Sequence, residues 1–366
     1  MDKKTKKIVK KASKKVKKQI IKQAKKEPKK FAITVLIILL ILAIVLGCLY
    51  FFGPLKDWLP NNENSSSSEA SSSEIVSNNS SDDELNFVSV MENYQEDSSD
   101  LTNPDNGGLT SNDVTEIKDV IETYYASVDH TYKGETLWTK LKDVTVPKQL
   151  ASYGELRYNV RGNPYADASP LDSSKMIDFY TGIHYPSEWK NGDTWQREHV
   201  WCTSHSWWKK PDNSERHAGT DLHHLRPEIG TINNSRSNSK YGEVENREAK
   251  TKFYTYENTP YLYGYLDGQI TNGGVFEPTD RVKGDVARII MYLLVRYKDV
   301  ATPVTNIIYT SEGTAEASYA LLLKWHEQDP VSNFEIRRNH RTYNVQGNRN
   351  PFIDYPYYAK AIWGDN

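Results

Sequence analysis

Residues 195–238 hold most of the side chains in this sequence that could do chemistry. The run WQREHVWCTSHSWW, a polar loop and GTDLHHLRPEIGTINNSRSN carry five of the nine histidines, a Glu-His pair, several arginines and a cluster of asparagines. Glu198 and Asn233 offer hard oxygens, the donors that suit a divalent cation such as Mg²⁺, Ca²⁺ or Mn²⁺. Such an ion neutralises charge that grows on a phosphodiester under attack. His199, with a reference pKa of about 6.5, offers a neutral base for the attacking water. An arginine can then grip the phosphate through paired N–H groups. Together the parts suit metal-assisted phosphodiester hydrolysis.

Each residue also has a plainer reading. Glu198 could pair with Arg197 or another arginine, and adjacent Glu-His is common by chance. Asn233 competes with Asn234 for the ligand role, and either could cap a helix. His223 and His224 read as packing or support, His205 and His217 as exposed loop residues. Arg236, Arg338, Arg341 and Arg349 are candidate substrate contacts, with a surface ion pair the alternative for each. Cys202 reads as a small buried residue. A zinc hydrolase built from His205, His217, His223 and His224 is a rival, but no HExxH spacing supports it. A second rival is a non-catalytic surface module that binds nucleic acid.

Local patterning supplies the elements that must position these groups. Residues 194–201 read as a strand ending near Glu198 and His199. Residues 221–225 read as a second strand-like piece, Pro227 and Gly230 as a turn, and 232–239 as a helix presenting Asn233 in its first turn. Residues 176–180 (MIDFY) also read as a strand, with 184–193 a loop. Val114, Ile117, Val120, Ile121 and Tyr124 mark a helix with Ser111 or Asp113 as N-cap. Leu137, Leu141 and Val144 mark another, and residues 281–298 and 314–327 two more. The expectation is an α+β fold, mostly helical with a few short strands.

A strand ending in His, a return strand and a helix offering Asn form the layout of ββα-metal nucleases. REHVWCTSH…TDLHHLRPEIGTINNSRSN resembles the bacterial endonuclease I family, secreted or periplasmic nucleases of low sequence specificity. Gly284-Asp285-Val286-Ala287-Arg288 with Tyr292 is similar to that family's GD-x-AR helix. Residues 329–332 (DPVS), 335–339 (EIRRN) and 343–352 (YNVQGNRNPF) are similar to its C-terminal signature. The resemblance spans about residues 115–366. It implies His199 as general base and Glu198 and Asn233 as metal ligands, with Mg²⁺ the usual ion. It implies cleavage of DNA, and often RNA, to 5′-phosphate ends. The phosphate-bracing arginine falls in a variable loop, where Arg216 and Arg226 are the candidates. Cys202 stands where the family usually has proline.

The rest of the chain reads as delivery. Residues 1–30 carry fifteen lysines against Asp2 and Glu27. Residues 31–52 form an apolar run of about 22 uncharged residues, long enough to span a bilayer as a helix. Lysine flanks are retained inside the cell, so the remainder is expected outside, with an uncleaved anchor favoured over lipidation at Cys48. Residues 53–112 are rich in Ser, Asn and acids and read as a disordered tether, leaving 113–366 as the nuclease-like domain. With Cys48 and Cys202 the only cysteines, neither a disulfide within that domain nor a cysteine zinc cage can form. The domain's small net negative charge argues against broad electrostatic capture of nucleic acid. It does not exclude a local basic groove.

Overall fold

The computed structural model describes residues 87–268, 274–297 and 313–364. The chain divides into two units, 1–80 and 81–366, and all described residues belong to the second. The lysine arm, the apolar run 31–52, Cys48 and the tether through residue 86 lie outside them. No helix among the described residues is long and apolar enough to cross a membrane.

The α-helices of more than four residues are α1 (Ser111–Tyr124), α2 (Gly134–Val144), α3 (Gly230–Arg236), α4 (Lys283–Tyr297), α5 (Tyr319–Gln328), α6 (Asn333–Gln346) and α7 (Tyr358–Trp363) among the described residues. Every residue of α4 except Arg296 is buried. Its expected stripe of Val286, Ile289, Ile290, Leu293 and Leu294 is core, each side chain contributing about 1.5–3 kcal/mol by burial. Helices α2 and α5 pack on it. Its buried charged residues have partners: Arg288 forks onto the Glu335 carboxylate of α6, with both N–H···O distances 2.7 Å. Gly284 is required by packing, since a Cβ there would stand 2.0 Å from the Asp329 carbonyl oxygen.

Caps account for where two of these helices start. Thr110, and not Ser111 or Asp113, is the cap: its side chain accepts from the Asp113 N–H, and the Asp113 carboxylate accepts the Thr110 N–H. Ser332 and Glu335 make the same reciprocal box on α6, and Gly347 closes that helix at φ 73°.

The strands are β1 (Lys175–Ile177), β2 (His184–Pro186), β3 (Gln196–His199), β4 (Leu225–Glu228), β5 (Lys240–Tyr241), β6 (Thr251–Tyr256), β7 (Thr259–Asp267) and β8 (Val275–Pro278). β1–β2 and β3–β4 are antiparallel pairs, and a four-stranded sheet runs β5-β8-β7-β6. In β3–β4, Glu198 stands opposite Arg226 and His199 opposite Leu225.

The α+β expectation agrees with this architecture, with several corrections. Residues 221–224 form a turn, and the return strand begins at Leu225, because Asp221 accepts the His223 N–H and folds the chain locally. The expected strand over 176–180 is confined to β1, and the expected loop 184–193 contains β2. Helix α5 starts at Tyr319, capped by Ser318, later than the stripe suggested. The four-stranded sheet was not anticipated. Its signal was the aromatic alternation of 251–267 around Glu257 and Asn258, both at positive φ as a two-residue hairpin turn requires. The expected tether also ends earlier than residue 112. Met91 is buried, the Asp105 carbonyl accepts the Phe334 N–H, and Asn333 binds Asp97, so residues 87–110 pack on the domain.

Candidate active site

Strand β3, helix α3 and the loops beside them enclose a cleft of about 550 Å³. Arg197, Glu198, His199, Asn233, Asn234 and Arg236 are among the residues lining it, with Tyr153, Trp189, Cys202 and Lys210. Glu198 and His199 both reach it from the end of β3.

His199 is buried, and its Nε2 lies 2.9 Å from the Gly219 carbonyl oxygen. A carbonyl only accepts, so Nε2 carries the proton and Nδ1 carries the lone pair. Nδ1 has no hydrogen-bond partner among the described residues. Tyr153 stacks on the ring at 5.8 Å and His224 meets it edge-on at 5.3 Å. Burial holds the His199 pKa down to about 3, with Arg197 adding to the effect. The ring is therefore neutral at ordinary pH and available as an acceptor.

Gly219 must approach closely for this contact. A Cβ on it would stand 2.6 Å from the Trp208 ring. His217 caps the short turn that presents it, accepting the Gly219 N–H at 3.0 Å.

Glu198 is buried, and its Oε1 receives the Tyr180 hydroxyl at 2.9 Å and lies 3.1 Å from Arg236 Nη1. Tyr180 is in turn 2.8 Å from the Tyr241 hydroxyl. Oε2 has no partner among the described residues. Burial pushes the Glu198 pKa up to about 7, while Arg236 and Tyr180 pull it back. Asn233, in the first turn of α3, donates its side-chain N–H to Gln196 at 3.3 Å, which leaves its Oδ1 as the uncommitted atom. A hard divalent cation fits this donor set: one carboxylate oxygen and one amide oxygen on a polar cleft, with room for water and substrate oxygens. Among the described residues no group of three or more His, Cys, Asp or Glu could hold a metal. The soft, closed cage that zinc prefers is therefore not built there.

The histidines of the zinc rival are engaged elsewhere. His205 Nδ1 lies 3.1 Å from Glu316 and His217 caps the Gly219 turn. His223 Nε2 contacts the Asn348 carbonyl, and His224 accepts the Trp201 N–H at 2.9 Å.

Most of the expected arginines do not reach the cleft. Arg226 is buried between Asp167 at 2.9 Å and Asp285 at 3.0 Å. Arg216, half exposed, pairs with Glu155. Arg338 holds Asp167 and the Leu222 and Leu225 carbonyls, thereby bracing the start of β4. Arg341 donates to the Tyr165 carbonyl, and Arg349 forks onto Asp354. Arg236 does line the cleft, but it is buried and its guanidinium is engaged by Glu198, Glu316 and the His199 and Val200 carbonyls.

The arginine that sequence reasoning overlooked is Arg197. It lines the cleft, lies 3.4 Å over the Tyr153 ring and 4.8 Å over Trp189, and has no carboxylate partner among the described residues. Its proximity to Glu198 in sequence suggested an ion pair, yet Arg236 takes that place. The usable signal was period two: on a strand, Arg197 and His199 share a face. Cys202 also differs from its expectation. It is half-buried and lines the cleft, and its N–H donates to Glu316 at 2.7 Å, a contact that a proline could not make.

The Endonuclease I family model matches residues 134–357. The chain belongs to the endonuclease I family. It is a nuclease. An "Extracellular ribonuclease" of Bacillus subtilis is 32% identical over 250 residues, 66% of this chain and 78% of that protein. An "Endonuclease-1" of Buchnera aphidicola from Acyrthosiphon pisum is 30% identical over 176 residues, 44% and 60% of the two chains. An "Extracellular deoxyribonuclease" of Aeromonas hydrophila is 28% identical over 136 residues, 37% and 49% of the two. The endonuclease I match covers the whole cleft, from Tyr153 to Ser237. Membership in a nuclease family weighs against the rival reading of a non-catalytic module.

Proposed function

We propose that this endonuclease I domain hydrolyses DNA and RNA with low sequence selectivity outside the cell, with the aid of a divalent cation. Mg²⁺ is the ion best suited to the donors, Ca²⁺ and Mn²⁺ being alternatives. The carrying observation is the 2.9 Å contact between His199 Nε2 and the Gly219 carbonyl, which leaves Nδ1 as the basic atom. His199 Nδ1 takes the proton of the attacking water. Glu198 Oε2 and Asn233 Oδ1 would hold the cation, whose chemistry is to neutralise charge on the phosphate and on the leaving oxygen. Arg197 braces a non-bridging phosphate oxygen, in place of Arg226 or Arg216. Expulsion of the 3′-oxygen leaves a 5′-phosphate.

Both substrate classes are supported by the relatives' names, ribonuclease and deoxyribonuclease. The location rests on the word "extracellular" in those names, and on the apolar run 31–52 behind fifteen lysines. That run would serve as a single-pass membrane anchor, with the N-terminus in the cytoplasm. The test is direct. The full-length chain in detergent is incubated with plasmid and with RNA, with Mg²⁺ or with EDTA. Cleavage in Mg²⁺ alone is expected, with ends that a 5′-phosphate-specific exonuclease accepts. Intact substrate in Mg²⁺, or unabated cleavage in EDTA, overturns the reading.

A further inference from the structure

Glu316 is fully buried and comes from a segment remote in sequence from the cleft. Its backbone carbonyl accepts the Tyr241 N–H of β5 at 3.0 Å, which fixes its place. Its Oε1 accepts the Cys202 N–H at 2.7 Å and lies 3.1 Å from His205 Nδ1. Its Oε2 lies 3.4 Å from Arg236 Nη2. Arg236 is therefore shared. Nη1 serves Glu198 and the His199 carbonyl, each at 3.1 Å, and Nη2 serves the Val200 carbonyl at 2.9 Å and Glu316.

This arrangement has an electrostatic consequence. Glu198, Arg236 and Glu316 are all buried, so their mutual charges are weakly screened. With both carboxylates ionised, two against one guanidinium leave the triad one negative charge in excess. That excess is what a cation at Glu198 would feel. Without Glu316, the guanidinium would belong to Glu198 alone and the pair would be neutral.

We propose that Glu316 is a positioning residue that sets the cation affinity of the cleft by sharing the charge of Arg236 with Glu198. It does not touch substrate. It acts through Arg236, and through the Cys202 N–H it also ties down the chain just beyond His199. The proposal rests on the reading that Glu198 is a cation ligand.

The test is equilibrium Mn²⁺ binding to the full-length chain by calorimetry, without substrate, for wild type, Glu316→Gln and Glu316→Asp. Glutamine keeps an oxygen for the Cys202 N–H but removes the charge, and binding is expected to weaken about 10- to 100-fold. Aspartate keeps the charge and should bind as the wild type does. In kinetics, Glu316→Gln should raise the half-saturating Mg²⁺ concentration while KM for DNA and kcat at saturating Mg²⁺ stay near wild type. Unchanged Mn²⁺ affinity in a folded Glu316→Gln chain overturns the proposal. So does a weakening in Glu316→Asp as large as that expected for glutamine, a result that stands even where the glutamine variant fails to fold. Absence of binding in the wild type would instead sink the reading of Glu198 as ligand, and this inference with it.

Discussion

His199 Nε2 donates to the Gly219 carbonyl oxygen across 2.9 Å, and this one contact selects the ring's tautomer. A glycine stands there because Trp208 occupies the space a Cβ would need. Substituting Gly219→Ala should displace the carbonyl and let the ring turn. The expected cost is about 10²-fold in kcat, comparable to other small misplacements of catalytic groups. His199→Ala should cost about 10²–10⁴-fold. Single-turnover cleavage of a labelled duplex measures both, and wild-type rates in His199→Ala would remove it as the base.

Arg197 and Arg226 should separate by readout. Arg197 faces the cleft, held by the Tyr153 carbonyl and by the Tyr153 and Trp189 rings, so Arg197→Ala should lose about 1.5–3 kcal/mol of transition-state binding and lower the melting temperature less than Arg226→Ala does. Arg226 is buried between Asp167 and Asp285. Arg226→Ala leaves buried Asp285 without its nearest cation and Asp167 with Arg338 alone, and should cost about 3–5 kcal/mol of stability. Urea unfolding beside kcat/KM tests this, and the reverse pattern would restore Arg226 as the phosphate contact.

Glu198→Gln should abolish stimulation by Mg²⁺ while the fold persists, because glutamine can still accept the Tyr180 hydroxyl. Calorimetry should show Mn²⁺ binding lost in this variant and weakened in Asn233→Ala. Retained affinity in Glu198→Gln would move the cation elsewhere.

Acid should destabilise the fold partly through two buried histidines outside the cleft. Burial holds His223 down to about 4 and His326 down to about 3. An unfolded chain protonates these rings below about 6.5. Between that pH and their folded values, the unfolded state binds more protons, so stability falls as pH falls. Two buried carboxyls act in the opposite sense, since burial raises Glu335 to about 7 and Asp329 to about 8. The difference between wild type and His326→Gln isolates the histidine. The loss in urea midpoint from pH 6.5 to pH 4.5 should be smaller in the variant, and equal losses would contradict the assignment.

The sequence by itself determined the parts that are local. The Glu198-His199 pair, the asparagines of 233–234 and the stripe of α4 depend on neighbours within a turn or a strand, so spacing alone exposes them. Period two even contained the Arg197–His199 relationship, although an adjacent carboxylate masked it. Only the tertiary structure decided which arginine faces the cleft and which ones hold the fold. Arg226, Arg338 and Arg349 look alike in sequence, and their carboxylates arrive from Asp167, Asp285 and Asp354, residues that strand and helix spacing cannot pair. Glu316 is the extreme case, because a buried charge takes its meaning from partners brought together in space, here Arg236 and the Cys202 N–H.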